Sequence, residues 1–98
     1  MARVADVFPT LAAEIADTLR REGEHALADQ IATLDVVEMC DCGEDSCQSF
    51  YTAPVPDGAW GPGHRNLDPE PPWPGMLILD IVNDRITYIE IIDRPALD

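Results

Sequence analysis

All three cysteines of this chain fall within eight positions, in Met39-Cys40-Asp41-Cys42-Gly43-Glu44-Asp45-Ser46-Cys47. Thiolates are both metal ligands and nucleophiles, so such a cluster has three readings: an ion site, a redox pair, or plain packing of a tight hairpin. Cys40 and Cys42 are two apart, which on a strand turns both thiols to one face. Cys47 follows across a turn where Gly43 permits a sharp bend. Zinc takes four ligands, with sulfur at about 2.3 Å, so three cysteines leave one ligand to find. His64, in Gly61-Pro62-Gly63-His64-Arg65-Asn66, is the expected fourth. His25 is a second candidate, and Asp41, Glu44 and Asp45 are local oxygen donors. The same acids should raise thiol pKa values, which argues against a reactive thiolate and so against redox chemistry.

Other residues suggest recognition. Tyr51, Trp60, Arg65 and Trp73 combine rings and charge near one long loop and could line a groove for a partner. The alternative for Trp60 and Trp73 is that they anchor the loop to a thin core. His64 and Cys47 could form a base and a nucleophile, yet no third orienting group accompanies them, so no catalytic set is expected. There is no phosphate-binding glycine loop and no H-E-x-x-H.

The positioning elements follow from periodicity. Phe8, Leu11, Ile15 and Leu19, then Leu27, Ile31 and Leu34, recur at helical spacing. Arg20-Arg21 followed by Gly23 reads as a helix stop. This predicts a helical hairpin within about 9–33. Residues 35–53 read as a β-hairpin that turns at Gly43-Glu44-Asp45-Ser46. Residues 53–75 hold most of the prolines and four of the six glycines, and read as a long loop. Residues 76–93 read as a second hairpin around Asn83-Asp84-Arg85, with Leu79 opposite Ile89 and Leu77 opposite Ile91. The expected fold is α+β: one domain over 1–98, with the helical hairpin packed on a four-stranded, mostly antiparallel sheet.

Charge narrows the partners. The chain has 98 residues, nineteen acids and six arginines, for a net charge of -13. Such a surface repels phosphate backbones and anionic lipids, so nucleic acid and membrane are not expected. A basic protein is the expected partner, which suits a small inhibitory or immunity-like interaction module; a zinc protein built on the three cysteines is the alternative, and a thiol redox enzyme a distant third. The plain reading of the acidity is solubility by self-repulsion, or life at high salt. No stretch approaches the ~20 apolar residues of a membrane span. Asp6, Glu14 and Asp17 interrupt the apolar N-terminal stretch that a signal peptide needs, so the cytoplasm is expected by default, and an odd cysteine count there argues against a disulfide framework. Either a monomer or a homodimer through an edge strand is compatible with the sequence.

The stretch Cys40-Asp41-Cys42-Gly43-Glu44-Asp45-Ser46-Cys47-Gln48-Ser49-Phe50-Tyr51-Thr52, after a helical Leu19-Arg20-Arg21-Glu22-Gly23-Glu24, resembles a set of small uncharacterised bacterial proteins. They share C-x-C-G-acid-acid-x-C-x-[Ser/Thr]-F-Y-T, a GxWGPGHRN stretch and a closing hairpin. The resemblance spans most of the chain and implies a shared fold without an assigned activity. The C-x-C start is also similar to that of a SWIM-type zinc motif, but Ser49 stands where that motif has histidine.

Overall fold

The computed structural model describes residues 2–43, 47–95 and 97. A short strand, β1 (Ala2–Arg3), leads into one helical turn, α1 (Val4–Val7). Phe8 interrupts the helix because a residue ahead of proline is pushed out of helical backbone. Pro9 then opens α2 (Pro9–Arg21) at the position that needs no N–H. The apolar stripe Leu11, Ile15 and Leu19 is fully buried along it. Gly23, at φ 81°, ends α2. Its N–H bonds Arg20 O at 3.1 Å, while Glu24 N–H bonds Leu19 O at 2.9 Å. This paired closure satisfies the last carbonyls of the helix. A short α3 (His25–Gln30) follows, tightening into a 3-10 turn at Ile31–Thr33. The helical part is therefore three segments and a terminal turn, rather than the two-helix hairpin expected.

The next stretch divides between two sheets. β2 (Asp35–Val36) pairs with β1, and β3 (Glu38–Met39) pairs with β4 (Phe50–Tyr51). The five-stranded antiparallel sheet is completed by β5 (His64–Leu67), β6 (Met76–Val82) and β7 (Arg85–Ile92), in the order β3-β4-β7-β6-β5. The expected four strands thus become five plus a separate pair. The addition is β5, a polar stretch inside the proline-rich segment. It is an edge strand, bonded on one side only, where flanking prolines do no harm. β1 and β2 span two residues each, too short for any period to show.

The β6–β7 hairpin pairs Leu79 with Ile89 and Leu77 with Ile91, as expected, but by a different route. Asn83 and Asp84, at φ 51° and 65°, form a two-residue turn, and Val82 pairs with Arg85. That shorter turn alone would shift the register. A bulge restores it: Asp80 faces Tyr88 and Ile81 faces Ile86, leaving Thr87 extra. The Thr87 hydroxyl donates to Asp80 O at 3.0 Å, tying down the bulge.

One face of the sheet, with Phe50, Leu77, Leu79, Ile81, Ile89 and Ile91, joins the helical stripe in a single core. Gln30 pins the helices to the hairpin: its amide nitrogen donates to Asp84 O and its amide oxygen accepts from Ile86 N–H at 3.0 Å. The opposite face, with Ile78, Asp80, Tyr88, Glu90 and Tyr51, carries no helix and is half-buried.

Candidate metal centre

The three thiols converge. One ligand atom from each of Cys40, Cys42 and Cys47 lies within 4.8 Å of the others. Tetrahedral zinc needs sulfurs about 3.8 Å apart, given a bond of about 2.3 Å, so an ion there would require side-chain rotation to close the remaining gap. None of the three is in a disulfide; Cys42 is exposed and the other two are half-buried.

Strand pairing explains the convergence. Cys40 continues β3, and its N–H bonds Ser49 O at 2.9 Å. Cys47 precedes β4 and bridges Ile92 of β7. Alternation sets Cys40 with Glu38, opposite Tyr51, and sets Cys47 with Ser49 and Tyr51, all on the helix-free face. Gly43 turns the chain at φ 81°, a value side chains resist. Glu44 and Asp45, named above as oxygen donors, lie outside the described residues. The sulfurs accordingly stand on the sheet surface away from the helices.

Ser49 organises the cluster. It is fully buried, and its Oγ accepts from Ile91 N–H at 2.9 Å. Cys47 Sγ lies 3.3 Å from the same oxygen. Once Cys47 loses its proton, the Ser49 hydroxyl is free to donate to the thiolate while still accepting from Ile91. This hydrogen bond is the main reason the Cys47 pKa sits below the ordinary thiol value; Ser49 N–H, Cys42 and Cys40 act in the same direction, against burial. The expectation that nearby acids raise the thiol pKa is corrected at Cys47, where local donors dominate. A pKa lowered on folding means that the thiolate form favours the folded chain. That contribution is complete above the unfolded thiol pKa and is lost as pH falls through the folded value.

Tyr88 adds a second hydroxyl. Burial first, then its hydrogen bond to Cys40, pushes its pKa up, so the phenol keeps its proton and remains a donor. Its ring lies 4.4 Å from that of Tyr51, which lies 6.1 Å from Trp60. Ser49 and Tyr88 were not singled out from sequence. The position of Ser49, two after Cys47 on a strand, was a usable signal; the approach of Tyr88 depends on pairing between the two hairpins.

No family model matches the chain, and no curated protein or solved structure matches it. Function therefore has to be argued from the site.

The remaining candidates fall elsewhere. His64 begins β5, at the opposite sheet edge from β3, and its Nε2 lies 2.7 Å from Asp80 Oδ1. At about 4.8 Å per strand, β5 is roughly 14 Å from β4 and 19 Å from β3, a distance that one zinc ion does not bridge. His25 opens α3, on the helical side. Of the four residues proposed to line a groove, Tyr51 and Trp60 meet on the helix-free face. Arg65 is exposed on β5. Trp73 is in the core, with Nε1 donating to Met76 O at 3.3 Å and the Arg94 guanidinium 5.5 Å from its ring centre. A cleft of about 420 Å³ along α2 is lined by Glu14, Asp17, Arg20, Arg21 and Pro72, with no thiol.

Replacing Ser49 by alanine should raise the apparent pKa for Cys47 alkylation toward the ordinary thiol value, as read from iodoacetamide rates against pH followed by peptide mapping. It also leaves the Ile91 N–H without its acceptor, at a cost of about 1–3 kcal/mol. Ser49→Thr keeps the hydroxyl and should keep the lowered pKa. An unchanged pH profile in Ser49→Ala would remove Ser49 from this role.

Proposed function

We propose that this chain is a small thiolate metal-binding protein, with zinc as the ion best suited to its donors. The observation that carries the reading is the mutual approach of Cys40, Cys42 and Cys47 within 4.8 Å. The hydroxyls of Ser49 and Tyr88 support it, because outer donors orient and stabilise metal-bound thiolates. A soft sulfur-rich set selects zinc or other thiophilic ions over calcium or magnesium. The bound ion would staple β3 to β4, whose regular pairing covers only two residues on each strand. The negative surface favours arrival of any cation. The acidic-interaction reading rests on charge alone, whereas the thiol reading rests on a geometry.

Cobalt(II) titration of the metal-free protein tests this. One equivalent should bind, with a sulfur-to-cobalt charge-transfer band whose intensity corresponds to three thiolates, and one equivalent of zinc should bleach it. A cobalt spectrum without thiolate bands would refute the reading.

A further inference from the structure

The thiols supply three ligands, and the register of the sheet indicates the fourth. Phe50 pairs with Ile89 and Cys47 bridges Ile92, so the intervening Ser49 stands opposite Glu90 on β7. Cys40 flanks Ser49 on the other side, through its N–H bond to Ser49 O. Cys40, Ser49 and Glu90 thus form one row across three strands on the helix-free face, with Cys47 two residues along from the centre. The central residue is the shortest of these, and it turns its hydroxyl toward Ile91 N–H. Ser49 is nevertheless fully buried, so the longer side chains around it close over it. Glu90 is half-buried beside Ile78, its partner on β6, and its carboxylate makes no hydrogen bond or ion pair among the described residues.

The geometry points to Glu90 as the fourth ligand, closing a Cys40-Cys42-Cys47-Glu90 zinc site over Ser49. This rests on the metal-binding reading above. Two strand spacings, about 9.6 Å, separate the backbones of Cys40 and Glu90. The two side-chain arms, joined by zinc–sulfur and zinc–oxygen bonds of about 2.3 and 2.1 Å, span that distance. The carboxylate lies outside the 4.8 Å group of thiols and reaches the ion by rotating about its own side-chain bonds. A half-buried carboxylate with no protein partner gains one in the ion, which offsets the loss of its water. Three thiolates and a carboxylate around a divalent ion leave two negative charges, and the Ser49 and Tyr88 hydroxyls are placed to donate to them.

The test uses the full chain and cobalt(II) or zinc as the probe. Glu90→Gln keeps the shape and removes the anionic oxygen. Loss of an outer partner costs about 10–100-fold in affinity, and loss of a ligand should cost at least about 100-fold. The cobalt d–d bands should shift while the sulfur charge-transfer bands persist. Glu90→Asp keeps the charge on a shorter arm and should also weaken binding, whereas His64→Ala should not. If Glu90→Gln binds as tightly as the unaltered protein with the same d–d bands, Glu90 is not a ligand, though the three-thiol site stands. If Glu90→Asp binds like the unaltered protein while Glu90→Gln is weakened, the carboxylate acts as local charge and ligation is overturned. If the unaltered protein binds no cobalt through sulfur, the metal reading falls and this inference with it.

Discussion

Saturating zinc should raise the midpoint of thermal unfolding by about 10–20 °C, and Cys42→Ser should abolish that rise. The size follows from linkage. A ligand that binds only the folded chain, at 100 times its dissociation constant, stabilises it by about 2.7 kcal/mol. For a domain of roughly this length, each kcal/mol moves the midpoint by about 4–8 °C. Cys42 is the cleanest position because it is exposed, so serine there removes a ligand and little packing. The metal-free midpoints of the two proteins should therefore agree to within about 0.5 kcal/mol of stability, the usual range for surface changes. Differential scanning calorimetry with and without zinc, then with excess chelator, reads all four states. The same midpoint for the unaltered protein in zinc and in chelator would sink the idea that the ion staples the fold. A rise that survives in Cys42→Ser would place the zinc elsewhere.

What could be read from sequence divides along the range of the contacts involved. The α2 stripe and its stop at Gly23 depend on near neighbours, and spacing showed them. The inward rows of β6 and β7 were legible from alternation, including the facing of Leu79 by Ile89. The two-residue turn and the Thr87 bulge were not, because their effects on register cancel and leave the same pairs opposed. The convergence of Cys40, Cys42 and Cys47 was legible because one local hairpin produces it. Tyr88 and Glu90 come to the side of the sheet that holds the thiols, next to β4, only because β4 lies against β7, a pairing between distant segments on which spacing is silent. Nor does sequence show that the site faces away from the helices, since that follows from which row of β4 is buried. His64 looked available because it lies in a glycine- and proline-rich stretch. Strand formation at β5 fixes it at the far edge, where Asp80 takes its ring nitrogen.

That dependence of the site on β4 makes Phe50 the core residue whose loss should be felt most widely. Phe50→Ala should destabilise the metal-free protein by about 3–5 kcal/mol, the usual cost of emptying a buried phenylalanine site. Against a total of about 5–15 kcal/mol for a chain of this length, that is about a fifth of the stability or more. The side chain is fully buried, pairs across to Ile89, and lies 5.7 Å from the Phe8 ring, ring centre to ring centre. It is the only large ring that β4 places in the core, since Tyr51 faces the other way. Losing it loosens the strand that carries Ser49 and is entered from Cys47. Urea unfolding should show a lower midpoint, and Cys47 in the metal-free variant should react faster with iodoacetamide. Zinc at saturation should recover about 2.7 kcal/mol, as in the unaltered protein, because binding free energy adds to folding. A loss below about 1 kcal/mol would mean that Phe50 does not anchor β4. A large loss that zinc does not offset would mean that the thiols are held together by something other than the strand on which this site is built.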